Sequence, residues 1–143
     1  MYKSYLKGDE MLMQRKDVQQ VSNAMMNMLH EEEIDIINDF HDAVLANDIE
    51  KIDALFKVVE FDVEDHFTTE EEMMEESKFY AMQMHKSEHD TMRKKLKKAQ
   101  EEWARDKDPK AVQKFLEDEF KHWIILHISR WDSETAMHLG DSN

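Results

Sequence analysis

Apolar residues recur along this chain at three- and four-residue spacings, the mark of helices with one buried face, in four separate stretches. The first stripe runs Met26, His30, Ile34, Ile37, His41, Val44, and the second Ile52, Phe56, Val59, Val63, His66, Glu70, Met73. The third runs Met82, His85, His89, Met92, Leu96, Ala99, Trp103, and the fourth Val112, Leu116, Phe120, Trp123, His127. Asn47 and Asp48 interrupt the pattern and can cap the second helix. Ser77 marks a corner, and Asp106 to Pro109 reads as a loop, with Asp108 as cap and Pro109 at the first helical position. Short connections make neighbouring helices antiparallel. The pattern therefore predicts an all-α fold, an up-down-up-down four-helix bundle.

Residues 1–17 fit the pattern less well and divide from a bundle over 18–143. Tyr2, Tyr5 and Leu6 suit an arm packed on the bundle. Alternatively, the segment from Met11 lengthens the first helix.

Composition agrees with long helices. The 143 residues include only two glycines, Gly8 and Gly140, and one proline, too few for the turns of a β-rich fold. The twelve methionines are read as adaptable core filling. With no cysteine, disulfides, thiolate metal sites and cysteine nucleophiles are excluded. Asp and Glu number 33 against 19 Lys and Arg, a net charge of -14, which repels nucleic-acid phosphates and anionic membranes. No apolar run approaches the roughly 20 residues of a membrane span, and the charged N-terminus lacks a signal-peptide core. A cytoplasmic protein is the expectation.

The histidines change the picture. Each stripe carries at least one: His30, His66, His85 with His89, and His127. Burying five imidazoles and a carboxylate without partners would be costly, and a metal ion removes that cost by pairing with them all. His66 and Glu70 are four apart, as are His85 and His89, so each pair turns about 40° and rises about 6 Å, close enough to meet at one centre. Glu71 and Glu72 point elsewhere. Asp132 is five residues past His127, about 140° around a regular helix. From spacing alone it is a solvated acid, unless the helix takes a π-type turn there. His41 shares the His30 stripe, but lies roughly 16 Å up the axis, and is read as a core or boundary residue. His122 and His138 are read as exposed.

The segments HEEEIDIINDFHDAV, HFTTEEEMM, HKSEH and HWIILHISRWD together resemble the hemerythrin family in its single-domain bacterial form, from about His30 to Asp132. The family pattern of one His, then H-x3-E, H-x3-H and H-x4-D is filled in order. The resemblance implies two iron ions joined by an oxo or hydroxo bridge. It assigns His85, His89 and His127 to one iron and His30 and His66 to the other, with Glu70 and Asp132 bridging, so Asp132 becomes a ligand despite its spacing. It places O2 at an open position on the iron with two histidines. Trp123 and Ile124 fall where the family lines its O2 pocket with an aromatic residue and a leucine. It also implies reversible O2 carriage, storage or delivery by a binding protein and not an enzyme. The alternatives are an O2 or redox sensor acting through a separate, unidentified protein partner, and a di-iron enzyme acting on peroxide or nitric oxide. A ferritin-like enzyme would use two Glu-x-x-His pairs. This chain has one such triplet, Glu119 to His122, with His122 off the apolar stripe.

Overall fold

The computed structural model describes residues 11–140. Within them lie three long helices, α1 (Ala24–Leu45), α2 (Ile49–Glu76) and α3 (Met82–Asp106). A fourth rod over 109–139 is built of α4 (Pro109–Lys114), π1 (Phe115–Phe120), α5 (Lys121–His127), π2 (Ile128–Asp132) and α6 (Ser133–Leu139). No strand occurs among the described residues.

Cross-helix pairs show the direction of each neighbour. Along α2 and α3, Asp53 meets Trp103, Glu64 meets Arg93 and Glu71 meets His89, so rising positions meet falling ones. Glu33–His66 and Phe40–Phe56 do the same for α1 and α2. His41–Glu117 and His30–Asp132 do so for α1 and the last rod. The bundle is therefore up-down-up-down.

The element boundaries have local causes. Asn47 turns left-handed at φ 54, and the Asp48 side chain accepts from the Lys51 N–H at 3.2 Å to start α2. Asp108 accepts from the Lys110 N–H at 3.0 Å with Pro109 at the first helical position, where its missing N–H is harmless. Asn23 caps α1 through the Met26 N–H at 2.9 Å and donates to the Gly140 carbonyl at 2.7 Å, tying the first helix to the end of the last.

Helix α1 begins at Ala24, so the stretch from Met11 does not lengthen it. Instead Leu12 and Met13 enter the core, and the buried Asn38 side chain brackets Met13, accepting from its N–H at 3.0 Å and donating to its carbonyl at 2.8 Å. That exchange satisfies a non-helical backbone where water is absent. Tyr2, Tyr5 and Leu6 lie outside the described residues.

Most positions of the predicted stripes are buried, but Met82, Ala99 and Trp123 are half-buried, and Met74, four residues past Glu70, faces the core where Met73 was expected, Met73 being only half-buried. In the fourth rod one row of buried positions runs Leu116, Phe120, Ile124, Ile128, Asp132, every fourth residue. Five positions at that spacing drift about 160° around a regular α-helix. The two wider π turns absorb the drift and keep one face inward.

Candidate metal centre

The five stripe histidines and two carboxylates converge inside the bundle, each at most 2% exposed. They fall into two overlapping groups whose candidate ligand atoms all lie within 4.8 Å of one another. One is Glu70, His85, His89, His127 and Asp132; the other is His30, His66, Glu70 and Asp132. Glu70 and Asp132 belong to both.

Their oxygens are divided between the groups. Glu70 Oε1 lies 3.1 Å from His89 Nε2 and 3.5 Å from His85 Nε2, while Oε2 lies 2.6 Å from His66 Nε2 and 3.7 Å from His30 Nε2. Asp132 Oδ1 lies 2.9 Å from His85 Nε2 and 3.0 Å from His127 Nε2, while Oδ2 lies 2.8 Å from His30 Nε2. All five histidines thus present Nε2 to two shared carboxylates.

Three of the opposite ring nitrogens are held from outside. Written as Nδ1–H donors, His66 gives to Glu33 Oε1 at 3.1 Å, His89 to Glu71 Oε2 at 2.8 Å and His85 to Thr135 Oγ1 at 2.6 Å. The Thr135 hydroxyl passes its own hydrogen to Met74 Sδ at 3.9 Å. Such outer acceptors fix the tautomer that leaves the Nε2 lone pair inward. The faces are covered too: Phe67 stacks on His89 with centroids 4.0 Å apart, and Trp123 on His127 at 4.4 Å. Ile124 is buried in the adjoining core.

The donor set fits a pair of cations. His85 Nε2 and His127 Nε2 stand 3.0 Å apart, where two lone pairs repel unless a proton or a metal ion lies between the rings. Asp132 Oδ1 is fully buried and faces the His85 and His127 Nε2 atoms at 2.9 and 3.0 Å, so it needs a proton or a cation among them. Without metal, protons do the pairing. Burial pushes the His30 and His85 imidazoles down, but hydrogen bonds to Asp132 and Glu70 outweigh it and raise each to about 9. Burial likewise opposes but does not prevent the rise of His66 beside Glu70 and Glu33. Glu70 is held well below the usual carboxylate range by the histidines around it, despite burial, and Asp132 is held below it as well. His127 is lowered by burial and by the neighbouring His85 and His89.

The helical pattern that carries these residues is that of a known family. A family model, the Hemerythrin HHE cation binding domain, matches residues 15–139. The chain belongs to the hemerythrin family. A bacteriohemerythrin of Aquifex aeolicus (strain VF5) is 48% identical over 131 residues, which is 92% of this chain and all of that protein. Hemerythrins bind non-haem iron, and this member has a His, Glu and Asp cluster suited to a metal.

The histidines set aside from the centre lie elsewhere. His41 is buried but pairs with Glu117 at 2.8 Å, while His122 and His138 are exposed. Three contributors escaped the reading of spacings: Glu33, Glu71 and Thr135. Glu33 left a signal, since it sits three residues past His30 on the same helical face. Glu71 was expected to point away from the site; it lies one position round from Glu70 and reaches the outer edge of His89 across the α2–α3 groove.

Proposed function

We propose that this chain holds two iron ions between its helices and binds O2 there reversibly, as a carrier, store or source of O2. The observation that supports this most strongly is the division of the Glu70 and Asp132 oxygens between two histidine groups. In this reading His85, His89 and His127 ligate one ion and His30 and His66 the other. Glu70 and Asp132 would serve both. The three-against-two split makes the His30 and His66 side the more open. Two ferrous ions held by these residues would supply the electron pair that O2 binding requires.

The chain's own residues set the conditions. Five neutral imidazoles and only two carboxylates leave little net charge to bury and favour the ferrous state over higher oxidation. Glu33, Glu71 and Thr135 hold three rings in the ligating tautomer. Ile124 and Trp123 form the apolar lining that keeps water and anions from the O2 site. Among the described residues no helix is long and apolar enough to cross a membrane.

The test is spectroscopic. Reduced without air and then given O2, the iron-loaded protein gains a visible absorption that disappears when argon sweeps the O2 out. A band that never forms, or ferrous protein that is never recovered even at early times, replaces carriage with an enzyme or redox-sensor reading.

A further inference from the structure

The outer acceptors of the histidines differ in charge and support. His85 gives its Nδ1–H to a neutral hydroxyl and His66 to Glu33. His89 gives its own to Glu71, and among these acceptors only Glu71 is also bonded by a guanidinium: Arg93 Nη1 donates to Glu71 Oε2 at 2.7 Å and Nη2 to Oε1 at 3.2 Å. The guanidinium is fixed in turn by Glu64 at 2.9 Å and Asp90 at 2.9 Å. It also lies over the Phe67 ring, 5.3 Å from its centroid, and Phe67 is the ring stacked on His89. One arginine therefore braces both the edge and the face of a single imidazole.

An anionic acceptor on Nδ1–H draws the proton outward and makes Nε2 a stronger donor. A stronger donor favours ferric over ferrous iron. A cation on the same carboxylate shares its charge and weakens that pull. We propose that Glu71 and Arg93 are an opposed positioning pair whose balance sets the reduction potential of the centre, and with it the rate at which the ferrous form is lost in air. The inference rests on the reading that His89 ligates iron. Both residues are partly exposed, Glu71 at 13% and Arg93 at 22%, so replacing them does not empty the core.

The experiment compares midpoint potentials and autoxidation rates of Glu71→Gln, Arg93→Gln and Arg93→Lys with the parent protein, at equal iron content. Glu71→Gln keeps an acceptor but removes the charge, so its potential rises and autoxidation slows severalfold. Arg93→Gln leaves the carboxylate undiluted, so its potential falls and autoxidation quickens severalfold. Arg93→Lys restores the cation and returns toward the parent. Glu71→Ala, with no acceptor, releases ferrous iron to a chelator about tenfold faster or more. A purely structural role loosens His89 in both Gln variants and moves them the same way. Shifts in one direction, or none, in normally loaded protein overturn the pair alone. Parent protein that takes up no iron overturns the ligand reading and this inference with it.

Discussion

Asp132 stands five residues beyond His127, yet its Oδ1 lies 3.0 Å from the His127 Nε2. The π2 turn that contains Asp132 makes this possible, because a π turn closes between residues five apart where an α turn closes between residues four apart. Asp132 is thereby the second donor common to both histidine groups. Replacing it with Ala takes one ligand from each group at once. Iron per chain after desalting is expected to fall below one, with helix content by circular dichroism unchanged.

The helices and most of the centre were legible in the sequence for a plain reason. Burial selects side chains at helical spacing, and His30, His66, His85, His89, His127 and Glu70 all sit on those stripes. Asn47, Asp48 and Asp108 to Pro109 mark the breaks by local chemistry, which needs no tertiary information. Asp132 was not legible from its spacing to His127, because a regular α-helix turns about 140° over five residues and only a π turn brings the two together; the family resemblance supplied it. Glu71 and Thr135 were hidden because their roles depend on which groove lies opposite them, and one chain's periodicity does not report that. The stretch from Met11 to Asp17 was ambiguous because a buried backbone satisfied by Asn38 has no sequence period.

Histidine identity gives a second prediction. His85→Ala removes a donor whose Nε2 lies 2.9 Å from Asp132 and 3.5 Å from Glu70, so most of the iron is lost. His122→Ala, at an exposed position, keeps full iron content. His41→Ala also keeps it, but the lost bond to Glu117 lowers stability by about 1–3 kcal/mol. Metal analysis and urea unfolding check all three. Equal iron loss from the His122 and His85 variants would sink the ligand map.

Protons should leave as iron enters. His30 and His85 stand at about 9 in the metal-free fold, so both are mostly protonated at pH 7.5 and must deprotonate to ligate. Anaerobic ferrous titration at pH 7.5 with a pH indicator is expected to show acidification that ends when iron binding ends. The same shifts give metal-free stability a definite sign. Folded values above the unfolded value, near 6.5, contribute stability that is fully present below pH 6.5 and lost as pH rises through about 9. Metal-free protein should thus melt at lower temperature at pH 9.5 than at pH 6.5. Iron uptake without acidification would contradict the proton-paired cluster.

Ile124 tests the proposed lining of the O2 site. It is 2% exposed and belongs to the core beside the centre. Ile124→Ala opens space for water and is expected to speed loss of the ferrous form in air, at a stability cost of about 2–5 kcal/mol. Ile124→Leu reaches further along the pocket and leaves that loss slower or unchanged. Autoxidation followed by absorbance, with thermal melts as a control, separates the two effects. Equal rates in parent and Ala variant would remove Ile124 from the lining.

The central claim is that seven residues form two metal positions sharing Glu70 and Asp132, and counting ions tests it most directly. Ferrous iron is titrated anaerobically into metal-free protein, and bound metal is measured after removal of the excess. The account predicts a break at two irons per chain. A break at one, with all seven residues intact, would contradict it.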